Sequence, residues 1–330
     1  MEPTDGRQAE PARPSTAFVI GRIRRGHHVA PVVHEVERLL ADQGLRVSSK
    51  LVWKKKQLRR ATSRAVDAGV DLVVAVGGDG TVQQVAGSVA GTSVPLAIVP
   101  TGTGNLLAGN LGIAHKPEGA VQIALSGRPR RIDVGRYAVG GKRRIFTVAC
   151  GVGFDADVME RTDSADKSRW GRFAYLASAV LESGKIRNVS HEVTIDGVHE
   201  TMDAAQVLVV NFGQVSGLRV RGVKADDGLL DVFVIRASGP LPALLAGWEA
   251  ISDTRLGDHD GGRVFRAKAR KVRIETRPSR RVETDGSVVG RTPVTLSVRR
   301  RALTVMVPRR SGDSAPPRAS NGSSRLQRAR

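Results

Sequence analysis

The chain predicts an α/β protein, a doubly wound parallel domain followed by an antiparallel, strand-rich one. Three observations carry this reading. Strand-like and helix-like segments alternate from Ala17 to Val99, the order that builds a parallel sheet covered by helices on both faces. Two glycine loops each follow directly on an apolar run, where such a sheet presents the C-terminal ends of its strands. From about Ile132, helical periodicity gives way to alternating segments separated by turn signals.

In order, Ala17–Ile20 is a short apolar strand, and Val33, Val36, Leu39 and Leu40 recur at helical spacing over Ala30–Asp42. Leu45–Trp53 alternates as a strand. Gln57–Ala68 reads as a helix with Leu58, Ala61, Ala65 and Val66 inward, ended by Gly69. Leu72–Val76 is an unbroken apolar run, a buried strand that stops at Gly77-Gly78-Asp79-Gly80-Thr81. Val82–Ala90 then reads as helix and Val94–Val99 as strand. The second loop, Pro100-Thr101-Gly102-Thr103-Gly104-Asn105, leads into the helical Leu106–Leu111.

Three glycines in four positions remove Cβ atoms where backbone N–H groups must approach something bulky. A strand, a glycine turn and a helix start together make an anion site, since free N–H groups and the helix dipole both favour phosphate. Asp79 inside such a turn would repel phosphate unless a cation or a transferable proton accompanies it. Two matched loops facing one crevice point to phosphate binding.

In the second half, Val134–Val139 and Arg144–Ala149 flank Gly140-Gly141, while Glu192–Ile195 and Thr201–Val210 flank Asp196-Gly197. Helical patches are expected over Arg169–Ser183 and Leu241–Ile251, and strands from Val264 to Val307. Trp170, Phe173, Tyr175 and Leu176 suit either a lipid pocket or a plain packing face. Cys150 reads as a small core residue, and Asp231 as a residue flanking a turn. The histidines are not spaced as metal ligands with cysteine.

At 40% hydrophobic and 25% charged, the chain has a globular balance and length enough for a real core. An aromatic share of 4% supplies few stacking platforms for single-stranded nucleic acid. The net charge of +20 predicts a polyanionic partner. One cysteine, which cannot form an internal disulfide, fits a reducing cytoplasm. No apolar run approaches the roughly 18 residues of a spanning helix, so membrane contact is expected to be peripheral.

The segments Gly77–Thr81, Pro100–Asn105, Ile132-Asp133-Val134-Gly135, Gly151–Ala156, Gly171–Tyr175, Ala225–Asp231 and Thr284-Asp285-Gly286 occur in one order along residues 17–307. On these the sequence resembles the diacylglycerol kinase catalytic-domain family, which includes bacterial lipid kinases and sphingosine kinases. The resemblance implies a Rossmann-like α/β domain of the NAD kinase and diacylglycerol kinase type. It also implies an antiparallel β-sandwich, with the last strand returning to the first domain. The corresponding boundaries are a tail at 1–15, the ATP-binding domain at 16–132 with a returning segment near 298–308, the sandwich at 133–297, and a basic tail at 309–330.

The implied activity is ATP-dependent phosphorylation of a lipid hydroxyl, diacylglycerol or similar. Gly77, Gly78, Asp79, Gly80, Thr81, Gly102, Thr103, Gly104 and Asn105 would bind ATP, with Asp79 working through Mg2+. Asp285 takes the position of the general base. Lys224, Asp227 and Leu229 match a structural magnesium site, whose oxygen ligation suits a hard cation. The expected partners are the lipid substrate and an anionic membrane surface at the inner face of the cytoplasmic membrane. No specific nucleic acid is expected, and a homodimer is left open.

The chain departs from the family pattern at Arg22-Ile23-Arg24-Arg25-Gly26, Trp53, Gln83, Gln84, Leu106 and Ser287. A kinase for a soluble acceptor such as NAD shares the first glycine loop. A silent basic protein that binds membrane or nucleic acid fits the charge but leaves both loops unexplained.

Overall fold

The structure, a computed structural model, describes residues 14–24, 28–153, 188–215, 218–236 and 264–309. The helices expected over 169–183 and 241–251, the aromatic cluster at 170–176, the motif residues 154–156 and nearly all of both tails lie outside the described residues.

The first half runs β1 (Thr16–Arg22), α1 (Val29–Ala41), β2 (Arg46–Val52), α2 (Lys55–Asp67), β3 (Leu72–Gly77), α3 (Asp79–Val89), β4 (Leu96–Pro100), α4 (Leu106–Leu111) and α5 (Pro117–Ser126). β1 pairs in parallel with both β2 and β3, and β3 with β4. Period-2 alternation sends Leu72, Val74 and Val76 of β3 into a core with α1 and α5. Val73 and Ala75 pack on the other face with α2, α3 and α4. Burial on both faces is why β3 reads as a continuous apolar run.

The helix α5 carries local signals of its own, with Pro117 at its first turn, Glu118 beside it and Ala120, Val121 and Ala124 turned inward. Ser15, at the boundary drawn for the N-terminal tail, is tied into the fold. The hydroxyl and N–H of Ser15, and those of Thr16, donate to Asp71 Oδ2 at 2.7–2.9 Å, fastening β1 to the start of β3. These bonds, the Ser15 hydroxyl first, hold the Asp71 carboxyl down at about 2. The stability they give is present above the ordinary carboxylate value and lost as pH falls through about 2. Asp71→Ala should therefore cost about 1 kcal/mol at pH 7, limited by solvent exposure. In urea titrations its difference from wild type should shrink as pH drops from 5 toward 2. A constant difference would exclude the charged tie.

The second half runs β5 (Arg128–Val139), β6 (Lys142–Phe146), β7 (Ala149–Val152), β8 (Val189–Ile195), β9 (Val198–Ala204), β10 (Gln206–Val210), the short pair β11 (Gln214–Val215) and β12 (Leu218–Arg219), β13 (Leu230–Ile235), β14 (Val264–Ala269), β15 (Lys271–Arg277), β16 (Arg281–Thr284), β17 (Ser287–Arg291) and β18 (Val294–Val307). Among the described residues, one ten-stranded sheet runs β2-β1-β3-β4-β18-β15-β8-β9, with β5 on β18 and β6 on β5; a six-stranded sheet runs β14-β13-β10-β7-β16-β17. The six-stranded sheet faces the antiparallel part of the larger one across Phe146, Val152, Val193, Val207, Val232, Ile274 and Leu296, making the β-sandwich. The strand β18 pairs antiparallel with β15, and its Val305 aligns in parallel with Leu96 of β4. A single sheet therefore runs through both halves.

Two expected strands are each divided. Arg144–Ala149 breaks into β6 and β7, and Thr201–Val210 into β9 and β10, with the two pieces in different sheets. The breaks at 147–148 and 205 are where the chain crosses from one layer of the sandwich to the other. Apolar residues continue through both crossings, so hydrophobic pattern alone does not mark them. No helix among the described residues is long and apolar enough to cross a membrane.

Candidate active site

The first glycine loop is itself the opening turn of α3. Gly78 is the N-cap, and its carbonyl accepts the N–H of Thr81 and Val82 at 2.8 and 3.1 Å, so the helix starts at Asp79 rather than Val82. The first N–H groups of a helix have no intrahelical partner, and here they open at the C-terminal end of β3. A Cβ on Gly77 would lie 2.6 Å from Thr81 Cβ, so only glycine lets the turn close.

The second loop packs directly on the first. A Cβ on Gly102 would lie 2.6 Å from Gly78 Cα, and one on Gly78 3.0 Å from Gly102 Cα. Asn105, in the left-handed region at φ 46°, turns its side chain back on the loop. Its Nδ2 donates to the Gly102 carbonyl at 2.6 Å, and its Oδ1 accepts the Gly102 N–H at 3.0 Å. Asn105 thus braces the loop, while Thr103 and Gly104 are exposed on it.

Asp79 joins the two loops. Its Oδ1 accepts the N–H of Leu106, the first residue of α4, at 2.6 Å. Its Oδ2 lies 2.6 Å from where a Cβ on Gly104 would stand, so only glycine fits beside it. Burial pushes the Asp79 pKa up, the Leu106 N–H works against that rise, and the charge of Asp285 adds to it.

Asp285 sits beside this cradle, fully buried at the crossing between β6 and β7. There Oδ2 accepts the N–H and hydroxyl of Thr147 at 2.7 and 2.9 Å, and Oδ1 accepts the N–H groups of Val148 and Ala149 at 2.8 and 3.1 Å. Three of these are backbone donors at the layer crossing, from Thr147 and Val148 between the strands and Ala149 at the start of β7, and Asp285 satisfies them. Burial raises its pKa, while those donors pull the other way and suit only the ionised form. Gln83, one helical turn beyond Asp79, points Nε2 at Thr284 Oγ1 and Asp285 Oδ2 at 3.3 and 3.4 Å. One face of α3 therefore carries Asp79 and Gln83 toward Asp285.

Lys224, Asp227 and Leu229 lie at the turn before β13. The Leu229 N–H bonds Asp227 Oδ1 at 3.0 Å, and Lys268 Nζ holds Oδ2 at 2.8 Å. As arranged, each Asp227 oxygen accepts one hydrogen bond, and the Lys268 ammonium pairs with the carboxylate. Among the described residues, no group of three His, Cys, Asp or Glu side chains could hold a metal. Asp231, expected to flank a turn, is instead buried inside β13. Arg266 holds it at 2.7 Å and Lys268 at 3.2 Å. Its partners come from β14, the neighbouring strand, which explains why local sequence gave no sign of them. Cys150 is buried in β7, as expected of a core residue.

Asp133 escaped the sequence reading as a structural residue. It is fully buried, with Oδ2 accepting the Gly228 N–H and Oδ1 the Arg301 N–H, both at 2.6 Å. It binds the loop before β13 to the bulge in β18. Among the departures, Gln84 accepts from Arg59 at 2.8 Å, Trp53 is 63% exposed beside α2, and Leu106 contributes its backbone N–H to Asp79.

Residues 25–137 match the diacylglycerol kinase catalytic domain, and residues 148–307 the YegS C-terminal NAD kinase beta sandwich-like domain. The chain is 30% identical to the protein named probable lipid kinase YegS-like of Pseudomonas putida, over 82% of the chain and 88% of that protein. It is 29% identical to a diacylglycerol kinase of Mycobacterium tuberculosis, over 86% of the chain and 92% of that protein. An uncharacterized Synechocystis protein is 27% identical over 77% of the chain, which spans 58% of that longer protein. Among solved structures, a candidate diacylglycerol kinase of Bacillus anthracis superposes with a TM-score of 0.76 at 23% identity, over 90% of the chain and 98% of that one.

Proposed function

Because the chain belongs to the diacylglycerol kinase catalytic-domain family, we propose that it transfers the γ-phosphoryl group of ATP to a lipid hydroxyl at a membrane surface. The observation that carries this reading is the placement of Asp79. Its carboxylate is partly desolvated between two interlocked glycine loops and close enough to Asp285 for each charge to oppose the other. Such an arrangement is costly unless function repays it.

In this reading the N–H groups at the start of α3 and along residues 102–105 receive the phosphates. Oδ2 of Asp79, close against Gly104, suits magnesium, which takes one or two carboxylates plus substrate phosphates. When bound, magnesium supplies neutralising charge for the phosphoryl oxygens.

An alcohol is a poor nucleophile, and Asp285 is the carboxylate proposed to accept its proton. Each lone-pair direction of Asp285 is already engaged, so the acceptor hydroxyl must replace a present donor. Gln83 Nε2, at 3.4 Å, is the longest of these contacts and the least costly to exchange.

The net charge of +20 supports docking on anionic headgroups, at about 1 kcal/mol per well-placed basic residue. On this reading the protein would dock peripherally at the cytoplasmic face of the membrane. Incubation with γ-labelled ATP and either lipid extract or NAD tests the acceptor class. Label should enter the organic phase; transfer to NAD alone would replace the lipid reading with a soluble-acceptor one.

A further inference from the structure

The strand order brings a second set of residues to the same crevice. The chain leaves β1 and β3 toward opposite faces of the sheet, into α1 and α3 respectively. The gap between their C-terminal ends is therefore a topological switch point, where open α/β sheets bind ligands. One side of that gap is the glycine loop. The other is Arg22-Ile23-Arg24, where Arg22 aligns with Val52 and the Ile23 N–H bonds the Val52 carbonyl at 2.8 Å.

A third cation enters from α2. Lys55 begins that helix, where Gln57 Oε1 fixes the turn by accepting the Lys54 N–H at 2.9 Å. Lys55 Nζ lies 3.7 Å from the Cβ position of Gly80. No acidic side chain among the described residues pairs with Arg22, Arg24 or Lys55, and the Nε of Arg22 is buried without a hydrogen-bond partner. Burial lowers the pKa of Lys55, and the charges of Arg22 and Arg24 lower it further. Basic side chains on a solvated face spread apart. Here half-buried Arg22 and exposed Arg24 and Lys55 stand beside a loop built for anions, with Lys55 Nζ against Gly80, and their like charges oppose one another until an anion joins them.

We propose that Arg22, Arg24 and Lys55 grip the phosphate chain of the nucleotide opposite Gly78 and Gly80, so that affinity rises with the number of phosphates. The proposal rests on the nucleotide reading of the glycine loops, but its residues come from β1 and α2. Arginine forks suit phosphate oxygens, and lysine acts as a point charge. The three fixed charges supply on the protein some of the compensation that a divalent ion otherwise brings.

Calorimetric titration with AMP, ATP and inorganic tripolyphosphate, in excess EDTA, tests this on the full chain. The wild type should bind ATP at least about tenfold more tightly than AMP, and Lys55→Gln or Arg24→Gln should each weaken ATP by about tenfold while leaving AMP within about twofold. Both substitutions relieve like-charge crowding, so the melting temperature should not fall, and lost binding cannot be ascribed to unfolding. Wild-type-like ATP binding by both variants would overturn the cation grip and leave the kinase reading standing. Tripolyphosphate binding that is sensitive to both variants, with no binding of ATP, would keep the grip and end the kinase reading.

Discussion

Asp79→Asn should abolish phosphoryl transfer while leaving the protein as heat-stable as wild type, or more so. The two effects have one origin. In the folded chain burial and the charge of Asp285 raise the Asp79 pKa above its ordinary value. The folded state then holds the proton more tightly than the unfolded state, and stability falls as pH rises from the ordinary carboxylate value through the raised one. At neutral pH the ionised Asp79 is a net cost. The amide keeps an oxygen for the Leu106 N–H, which Oδ1 now accepts at 2.6 Å, and it removes the charge. Loss of a preorganised charged group at a reacting phosphate typically costs about a hundredfold or more in rate. A purely structural aspartate predicts the reverse, a lower melting temperature with turnover retained. Thermal melts at pH 5 and pH 8 beside a transfer assay separate the two, and the gain in stability should be larger at pH 8.

Asp285→Asn should also remove activity, but with a loss of stability. The carboxylate meets donors only, from the Thr147, Val148 and Ala149 backbones and the Thr147 hydroxyl. An amide offers one oxygen and turns its NH2 toward the remaining donors, leaving at least one buried N–H without a partner. Each such group costs about 1–3 kcal/mol, offset in part by relief of the buried charge. A fall of about 2 kcal/mol in urea-unfolding stability is therefore expected. Activity must be compared at a temperature and protein concentration where the variant is folded. A variant as stable as wild type would show that Asp285 does not anchor the layer crossing. On the proposed reading the pair would divide two carboxylates in one site: Asp79 would cost stability and serve the phosphates, while Asp285 would also hold the sandwich together.

Local features of the site were legible. The apolar run Leu72–Val76, its abrupt stop at Gly77, and the second loop after Val99 are written in contiguous residues, and the contact between Gly78 and Gly102 follows from two adjacent parallel strands. What sequence concealed depends on residues far apart in the chain. Asp285 finds its donors 136 to 138 positions upstream. The divisions at 147–148 and 205 exist because two sheets stack, and nothing in the local hydrophobic pattern differs between one strand that continues and two that change layers. Asp231 looks like a turn residue until β14 supplies Arg266 and Lys268 across the ladder. The helix α5 is locally encoded too, but its apolar positions are mostly small, with Ala120 and Ala124 carrying much of the buried face, so its helical period is faint in the sequence.

If the cradle around Asp79 delivers a phosphoryl group to a lipid, label from γ-labelled ATP should enter the lipid phase of one extract with wild type, compared side by side with Asp79→Asn at matched folded concentrations. Label in the lipid phase with wild type, and none with the variant, is the predicted result. Equal label from both proteins, or none from a wild type that binds ATP, would contradict it.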